Sequence, residues 1–335
     1  MQPPTIPAFD QASDGPDVLK VCQEATCPYQ TISAAVAVAA AGSVIAIKAG
    51  TYNECVRVTK DNITLQGRGG RPVIQASNCP RAPYAGAIIG VRANDAKIEN
   101  LELTDPTGDS VIAVGSEIGG ANITLRNLYI HHVQGGLYTV VAGDIVVTNS
   151  YFDHTGHMNG TDPHTAAAIG GALRSRSFTV NNVTITHPKQ SGGMLAGAAY
   201  KNTVNCVVAA DLEGGLSPYL VSFSYGYGVT ITNSVLQRGP LSQPQMLLYW
   251  NRATEPVQDR FVATNNILIS DQPTRVRPML NYSSAQNEPT TISDNIFIGP
   301  GSTEYSDFPN SLAFESRAAA GIGQDVNMLP YPGSR

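Results

Sequence analysis

All six histidines of this chain, His131, His132, His154, His157, His164 and His187, fall between positions 131 and 187 of 335. Imidazole takes up and returns protons near neutral pH, and it also ligates metals. Six of them in one stretch point to shared chemistry rather than to scattered solvated side chains. The densest part reads Asp153-His154-Thr155-Gly156-His157, followed by Asp162-Pro163-His164. A carboxylate beside an imidazole fixes its tautomer, and a neutral imidazole so held can abstract a proton from a substrate. Asp162 precedes a proline and is held extended, which aims His164. His164 or His157 is the expected base, Asp162 or Asp153 its orienter, and His154 completes the catalytic set. Asp and His also suit a divalent metal. Proton chemistry is the preferred reading, because no cysteine joins the cluster and no His-Glu-x-x-His motif occurs.

Residues so far apart meet only on a suitable scaffold, and a repeat reveals one. An asparagine precedes a short alternating apolar run at Asn100, Asn127, Asn149, Asn182, Asn205, Asn233, Asn266 and Asn295. A strand-like unit recurring every twenty to thirty residues or so signals a solenoid of stacked coils. The fold expected is all-β, a right-handed parallel β-helix with an N-terminal capping helix. Asparagine tolerates αL at a tight corner, and stacked amides bond to one another, so a single column of these eight is expected. The residue after each asparagine, Cys206 among them, and the residue two further on should face inward.

The segments after these strands, such as HHVQGG, DHTGHMNGTDPH and THPKQSGG, read as loops forming one wall of a groove whose floor is the following strands. Rungs about 4.8 Å apart would bring the histidines together there. His131, His187 and Lys189 line this groove as substrate-binding candidates. Tyr138, Tyr219 and Phe223 are expected to face outward from the floor, where aromatic faces stack on sugar rings. Lys189, Arg238, Arg252 and Arg277 would bring positive charge to a chain whose net charge is −5, suiting a carboxylated polymer.

The same acidic balance gives no footprint for nucleic acid, and no apolar run is long enough to span a membrane. The alanine-rich stretch 32–41 reads as a helix begun near Thr31 or Ser33 and stopped by Gly42, covering the open end of the first coil. The expected division is 1–43 extension and capping helix, 44–300 β-helix, and 301–335 C-terminal cap. Four cysteines, Cys22, Cys27, Cys55 and Cys79, crowd the amino-terminal quarter. Three pairings are open; Cys22–Cys27 with Cys55–Cys79 keeps partners near in sequence. Disulfides imply a secreted or periplasmic protein. No charged, apolar leader opens the chain at Met1, as in a protein whose signal has been removed. The sequence carries no signature of an oligomeric state.

The stretch YQTISAAVAVAAAGSVIAIKAGTYNECVRV with NITLQGRG resembles the opening of the pectate-lyase-like right-handed parallel β-helix proteins. His164, Ile169 and Gly170 also match a group of bacterial β-helix proteins with a later Gly-His-x-x-Lys-Ser-Arg pattern, where this chain has Gly193, Ala196, Gly197 and Ala198. Asp162-Pro163-His164 is similar to the Asp-Pro-His of mannuronan C5-epimerases, which would make the aspartate and histidine catalytic. The function expected is an exported enzyme in which a polysaccharide or oligosaccharide lies in a groove, foremost a lyase cleaving a uronate polymer by β-elimination. A C5-epimerase or a glycoside hydrolase on the same scaffold is the alternative. A non-catalytic glycan-binding or structural β-helix is the reading of another class. No cofactor is required, although a divalent cation such as Ca2+ would serve as charge partner.

Overall fold

The computed structural model describes residues 5–9, 15–76, 79–80, 86–107, 112–116, 121–139, 143–155, 167–171, 175–187, 195–197, 199–211, 219–224, 228–239, 246–251, 261–273, 280–283 and 290–321. Their strands form three rows, and the strand pairing is parallel throughout. The first row includes Ala96–Glu99, Ile123–Arg126 and the opening halves of Asp144–Thr155, Ser177–Thr186 and Lys201–Asp211. The second includes Glu102–Thr104, Tyr129–Val133 and the closing halves of those same long strands. The third includes Ile112–Ser116, Gly135–Thr139, Ile169–Gly171 and Leu195–Gly197. One coil is one strand from each row, and coils stack through backbone hydrogen bonds.

Alternation decides what lies inside. In the first row Ile98, Leu125, Val147, Val180, Val204 and Ile231 follow one another in register and are all fully buried. In the second, Leu103, Ile130, Phe152, Ile185, Ala209, Leu236, Leu268 and Phe297 do the same. Each such side chain is worth about 1.5–3 kcal/mol relative to exposure, less for the alanine. Gly136 marks where the core closes: a Cβ there would lie 2.3 Å from the Ala168 carbonyl oxygen and 2.5 Å from Phe152.

Between the first and second rows the chain turns through one left-handed residue. These are Asn100, Asn127, Asn149, Asn182, Cys206, Asn233, Asn265, Asp294 and Asn310, with φ between 51° and 59°. The expected single column of eight asparagines is therefore corrected. Asn100, Asn127, Asn149, Asn182 and Asn233 occupy the corner, Asn205 precedes it by one residue, and Asn266 and Asn295 follow it. An asparagine before an apolar run looks the same in sequence whether it makes the turn or adjoins it. The amides bond across this shift: Asn127 Nδ2 donates to Asn100 Oδ1 at 2.8 Å, Asn182 Nδ2 to Asn149 Oδ1 at 2.7 Å, and Asn233 Nδ2 to Asn205 Oδ1 at 2.7 Å. Cys206, expected inside, stands at the corner and is exposed.

At the amino-terminal end, the helix Ile32–Val38 buries Ile32, Ala35 and Val36. Thr31 Oγ1 accepts from Ala34 N, and the Glu54 carboxylate accepts from the backbone N–H groups of Ile32 and Ser33 at 2.7 and 2.8 Å. Donors that the helix itself leaves unpaired are thus satisfied. Lys60 Nζ covers the other end by donating to the carbonyls of Ala37 and Ala39. The cysteines pair as Cys22–Cys27 and Cys55–Cys79. At the carboxyl-terminal end Leu312–Phe314 adds a rung to the second row, and Tyr305 stacks on Phe297 at 4.5 Å. No helix among the described residues is long and apolar enough to cross a membrane.

The ladder makes a measurable prediction at Asn127, which is buried, donates to Asn100 and accepts from Arg71 Nη2 at 3.0 Å. Asn127→Ala keeps a Cβ in the left-handed region and removes both bonds, so urea titration should show a loss of about 2–4 kcal/mol. Asn127→Gly relieves the backbone and should cost less.

Candidate active site

The second row ends at another left-handed corner, and in three successive coils the corner residue is a histidine. His132, His154 and His187 have φ of 50°, 47° and 46°. His131 pairs with Asp153, and Asp153 with Thr186, so the three corner residues follow in one column. Their rings stack, His132 on His154 at 4.9 Å and 5°, His154 on His187 at 4.8 Å and 18°. Left-handed backbone at a residue other than glycine costs about 1–3 kcal/mol and tends to collect at functional sites. Histidine, like asparagine, is enriched there because its polar side chain bonds locally.

Each ring is anchored through Nδ1. Asp153 Oδ1 lies 2.8 Å from His187 Nδ1, and Asp153 Oδ2 lies 3.0 Å from His154 Nδ1. The second contact is bent and falls short of full hydrogen-bond geometry, yet this nitrogen is buried, so the carboxylate is its electrostatic compensation. Thr186 Oγ1 also donates to Asp153 Oδ1, at 2.9 Å. Burial pushes the Asp153 carboxyl up, but His187, His154 and Thr186 facing it outweigh that and hold the group below the usual carboxylate range. Asp153 is therefore a fixed anion that leaves the opposite edges of two imidazoles available to a reactant. One rung away, His131 Nε2 meets Glu102 Oε1 at 3.1 Å, and His131 Nδ1 meets His132 Nδ1 at 2.8 Å.

Two tyrosines complete this face. Tyr129 stacks on His131 at 4.3 Å and on Tyr151 at 5.5 Å. Burial, with Asp153, Tyr151 and Glu102 nearby, pushes the Tyr129 hydroxyl up to about 12. Burial also raises that of Tyr151, which shares a 2.8 Å bond with Thr186 Oγ1. Both remain neutral phenols whose rings form a shelf beside the imidazoles.

One ligand atom each from Asp153, His154 and His187 lies within 4.8 Å of the others, a spacing open to a metal ion. A metal sits about 2.0–2.1 Å from an imidazole nitrogen along its lone pair, in the ring plane. Rings tilted by only 18° and stacked one rung apart aim their lone pairs side by side, not at one point. The carboxylate bridging the two Nδ1 atoms accounts for the arrangement better than a shared ion.

The structure brings together His131, His132, Asp153, His154 and His187. It places them at the ends of strands rather than in loops, as the sequence reading had it: His131 and His132 lie in Tyr129–Val133, Asp153 and His154 in Asp144–Thr155. Tyr138 is half-buried on the third row, flanked in register by Gly115 and Gly170. Tyr219 begins the strand Tyr219–Ser224 and pairs with Met246, whereas the column of Tyr138 continues toward Ser222. Phe223, expected outward, is fully buried: the third-row register puts it two residues from the inward Val221. Arg238, expected at the surface, is buried. His157, Asp162, His164, Lys189, Arg252 and Arg277 lie outside the described residues. Glu102, Tyr129, Tyr151 and Thr186 were not anticipated. The signal was present, since Tyr129 and Tyr151 alternate with the inward Ile130 and Phe152.

No protein-family model and no curated protein sequence matches the chain. Among solved structures it is similar to a PL6 family alginate lyase, with a TM-score of 0.51 and 13% identity over 89% of this chain, which spans 41% of that one. It is also similar to a pectin methylesterase from carrot, with a TM-score of 0.49 and 17% identity over 93% of this chain and 92% of the other. A third is the A-module of a mannuronan C-5 epimerase from Azotobacter vinelandii, at 0.33 and 11%, covering 82% and 88%. At such identities likeness speaks to architecture, and the architecture is shared: this chain is a right-handed parallel β-helix.

Proposed function

We propose that this is an exported enzyme that acts on a uronate-containing polysaccharide by removing a ring proton, and that it is a lyase. One observation carries this reading: a half-buried, ionised Asp153 holds two stacked imidazoles by Nδ1 and leaves their Nε2 atoms for a substrate. A base positioned by a carboxylate is the group that proton abstraction beside a carboxyl requires. In β-elimination the base takes the proton from C5, a C4–C5 double bond forms, and the C4–O bond breaks as the leaving oxygen gains a proton. His154 or His187 is the base of this proposal, and His157 and His164 of the adjoining segment are the competing candidates. A positive side chain, Lys189 or Arg252, or a divalent cation would neutralise the substrate carboxylate.

Three further features support the reading. The tyrosine shelf of Tyr129 and Tyr151 offers apolar faces to a sugar ring. The shared architecture with an alginate lyase is consistent with such chemistry and supports the reading. Both disulfides suit a secreted or periplasmic protein. The helix Ile32–Val38, packed against the first strands, serves in this proposal as the cap over the open amino-terminal coil.

The test is turnover of a panel of uronate polymers, read by ultraviolet absorbance of the unsaturated product. Asp153→Asn and His154→Ala should each lower kcat by roughly 10²–10⁴-fold while the protein stays folded. Loss in His164→Ala alone would move the base to that residue. Inversion at C5 without chain cleavage would make the enzyme an epimerase, and binding without turnover would make it a glycan-binding module.

Asp153 also makes a pH prediction. Its folded pKa is depressed, so its contribution to stability is present above the unfolded carboxylate pKa and is lost as pH falls through the lower folded value. Wild type should therefore exceed Asp153→Asn in melting temperature at neutral pH. The gap should close in strong acid, followed by thermal melts across pH.

A further inference from the structure

The Asp153 carboxylate meets a hydroxyl as well as two imidazoles, and the direction of these hydrogen bonds follows from counting protons. Asp153 Oδ1 lies 2.8 Å from His187 Nδ1 and 2.9 Å from Thr186 Oγ1. An ionised carboxylate only accepts, so both neighbours donate to it. A threonine hydroxyl carries one proton, and that of Thr186 goes to Asp153. The 2.8 Å contact between Thr186 Oγ1 and the Tyr151 hydroxyl therefore takes its proton from Tyr151. The chain runs one way, from phenol to hydroxyl to carboxylate. Register makes it possible. Tyr151 and Asp153 stand two residues apart on one strand and face the same side, and Thr186 is the residue opposite Asp153 on the next rung. Thr186 is only 8% exposed, so water competes little for its hydroxyl.

We propose that Tyr151 and Thr186 are positioning residues of the site: Tyr151, acting through Thr186, fixes the Asp153 carboxylate so that Oδ1 faces His187 Nδ1. Its bearing on turnover rests on the proton-abstraction reading; the order of the hydrogen bonds does not. Without the Thr186 hydroxyl the carboxylate is free to turn about its bond to Cβ, and His187 loses the fixed partner that sets its orientation and tautomer. The bond to Oδ1 requires a proton on His187 Nδ1, which makes Nε2 the basic atom of the neutral ring. Linked hydroxyls polarise one another where water is scarce, so the phenol strengthens the donor that meets the anion. Tyr151 is thus divided between two tasks. Its ring, 5.5 Å from that of Tyr129, belongs to the shelf, and its hydroxyl belongs to the anion.

Tyr151→Phe keeps the ring and removes only the donor, whereas Thr186→Val keeps the side-chain shape and removes both bonds. With tyrosine 13C-labelled at Cζ, the Tyr151 Cζ–O stretch, identified by difference against Tyr151→Phe, should be that of a donating phenol. The frequency of an accepting phenol would overturn the chain. In protein labelled with 15N-histidine, at alkaline pH where the imidazoles are neutral, His187 should be protonated at Nδ1. A proton on its Nε2 instead would sink the proposal as well. On a uronate polymer Thr186→Val should lower kcat roughly 10–100-fold, as misplacement of a catalytic group does, with KM little changed. Thr186→Ser should restore kcat, and Tyr151→Phe should fall between. Wild-type kcat in Thr186→Val, or a Thr186→Ser enzyme as slow as Thr186→Val, would overturn the role. Should Thr186→Val fail to fold, Tyr151→Phe carries the test, and wild-type kcat there counts against the proposal. If the wild-type protein turns over no uronate polymer, the function proposed above fails, and the two spectra alone decide the hydrogen-bond chain.

Discussion

The left-handed corner is the constraint on which this molecule depends. A coil that turns through one residue must hold that residue at positive φ, and only a few side chains tolerate it by bonding close to home. Parallel register then repeats the choice rung after rung, so a local backbone requirement becomes a column of identical groups. At the first corner the column is mainly amide, and amides join to one another. At the second it is imidazole over three rungs, and imidazoles stack while keeping one nitrogen for other partners. The same physics therefore yields a structural seam along one edge and a chemical one along another.

What separates the two seams is the residue just before the corner. At the histidine corner these positions are His131, Asp153 and Thr186, all polar and all in register. A carboxylate there is half-desolvated, which would favour its neutral form, and it remains charged because three donors converge on it. Charge, ring orientation and tautomer are thus set together by one side chain. Neighbouring strands hold the anion in place, so the proton transfer proposed for this site would need little reorganisation.

The amino-acid sequence exposed the solenoid because its signal is redundant: every coil repeats an asparagine before an inward alternation, and no single coil need be read correctly. Position within a coil is less secure. Asn265-Asn266 and Asp294-Asn295 each offer two candidates for one corner, and period-two alternation flips with a one-residue error. That same slip placed Cys206 inside and Phe223 outside. The clustering of histidines was legible from their positions in the sequence, whereas the pairing of Glu102 with His131 was not, since nothing local links residues 29 apart. Tyr129 and Tyr151 were readable in principle, because an outward position beside a catalytic candidate follows from the alternation that put Ile130 and Phe152 inside.

Position along the stack has a further consequence. The rungs Tyr129–Val133, Asp144–Thr155 and Ser177–Thr186 lie in its interior, flanked on both sides by other rungs of the second row. In a solenoid each coil contacts only its neighbours, so opening propagates inward from the free ends. Amide exchange would run as a gradient along the axis, quickest beside Leu312–Phe314 and slow in the histidine rungs. Fraying of the terminal coil can then proceed without disturbing the imidazole column, so heat or a protease that opens the edge leaves the stacked rings in place.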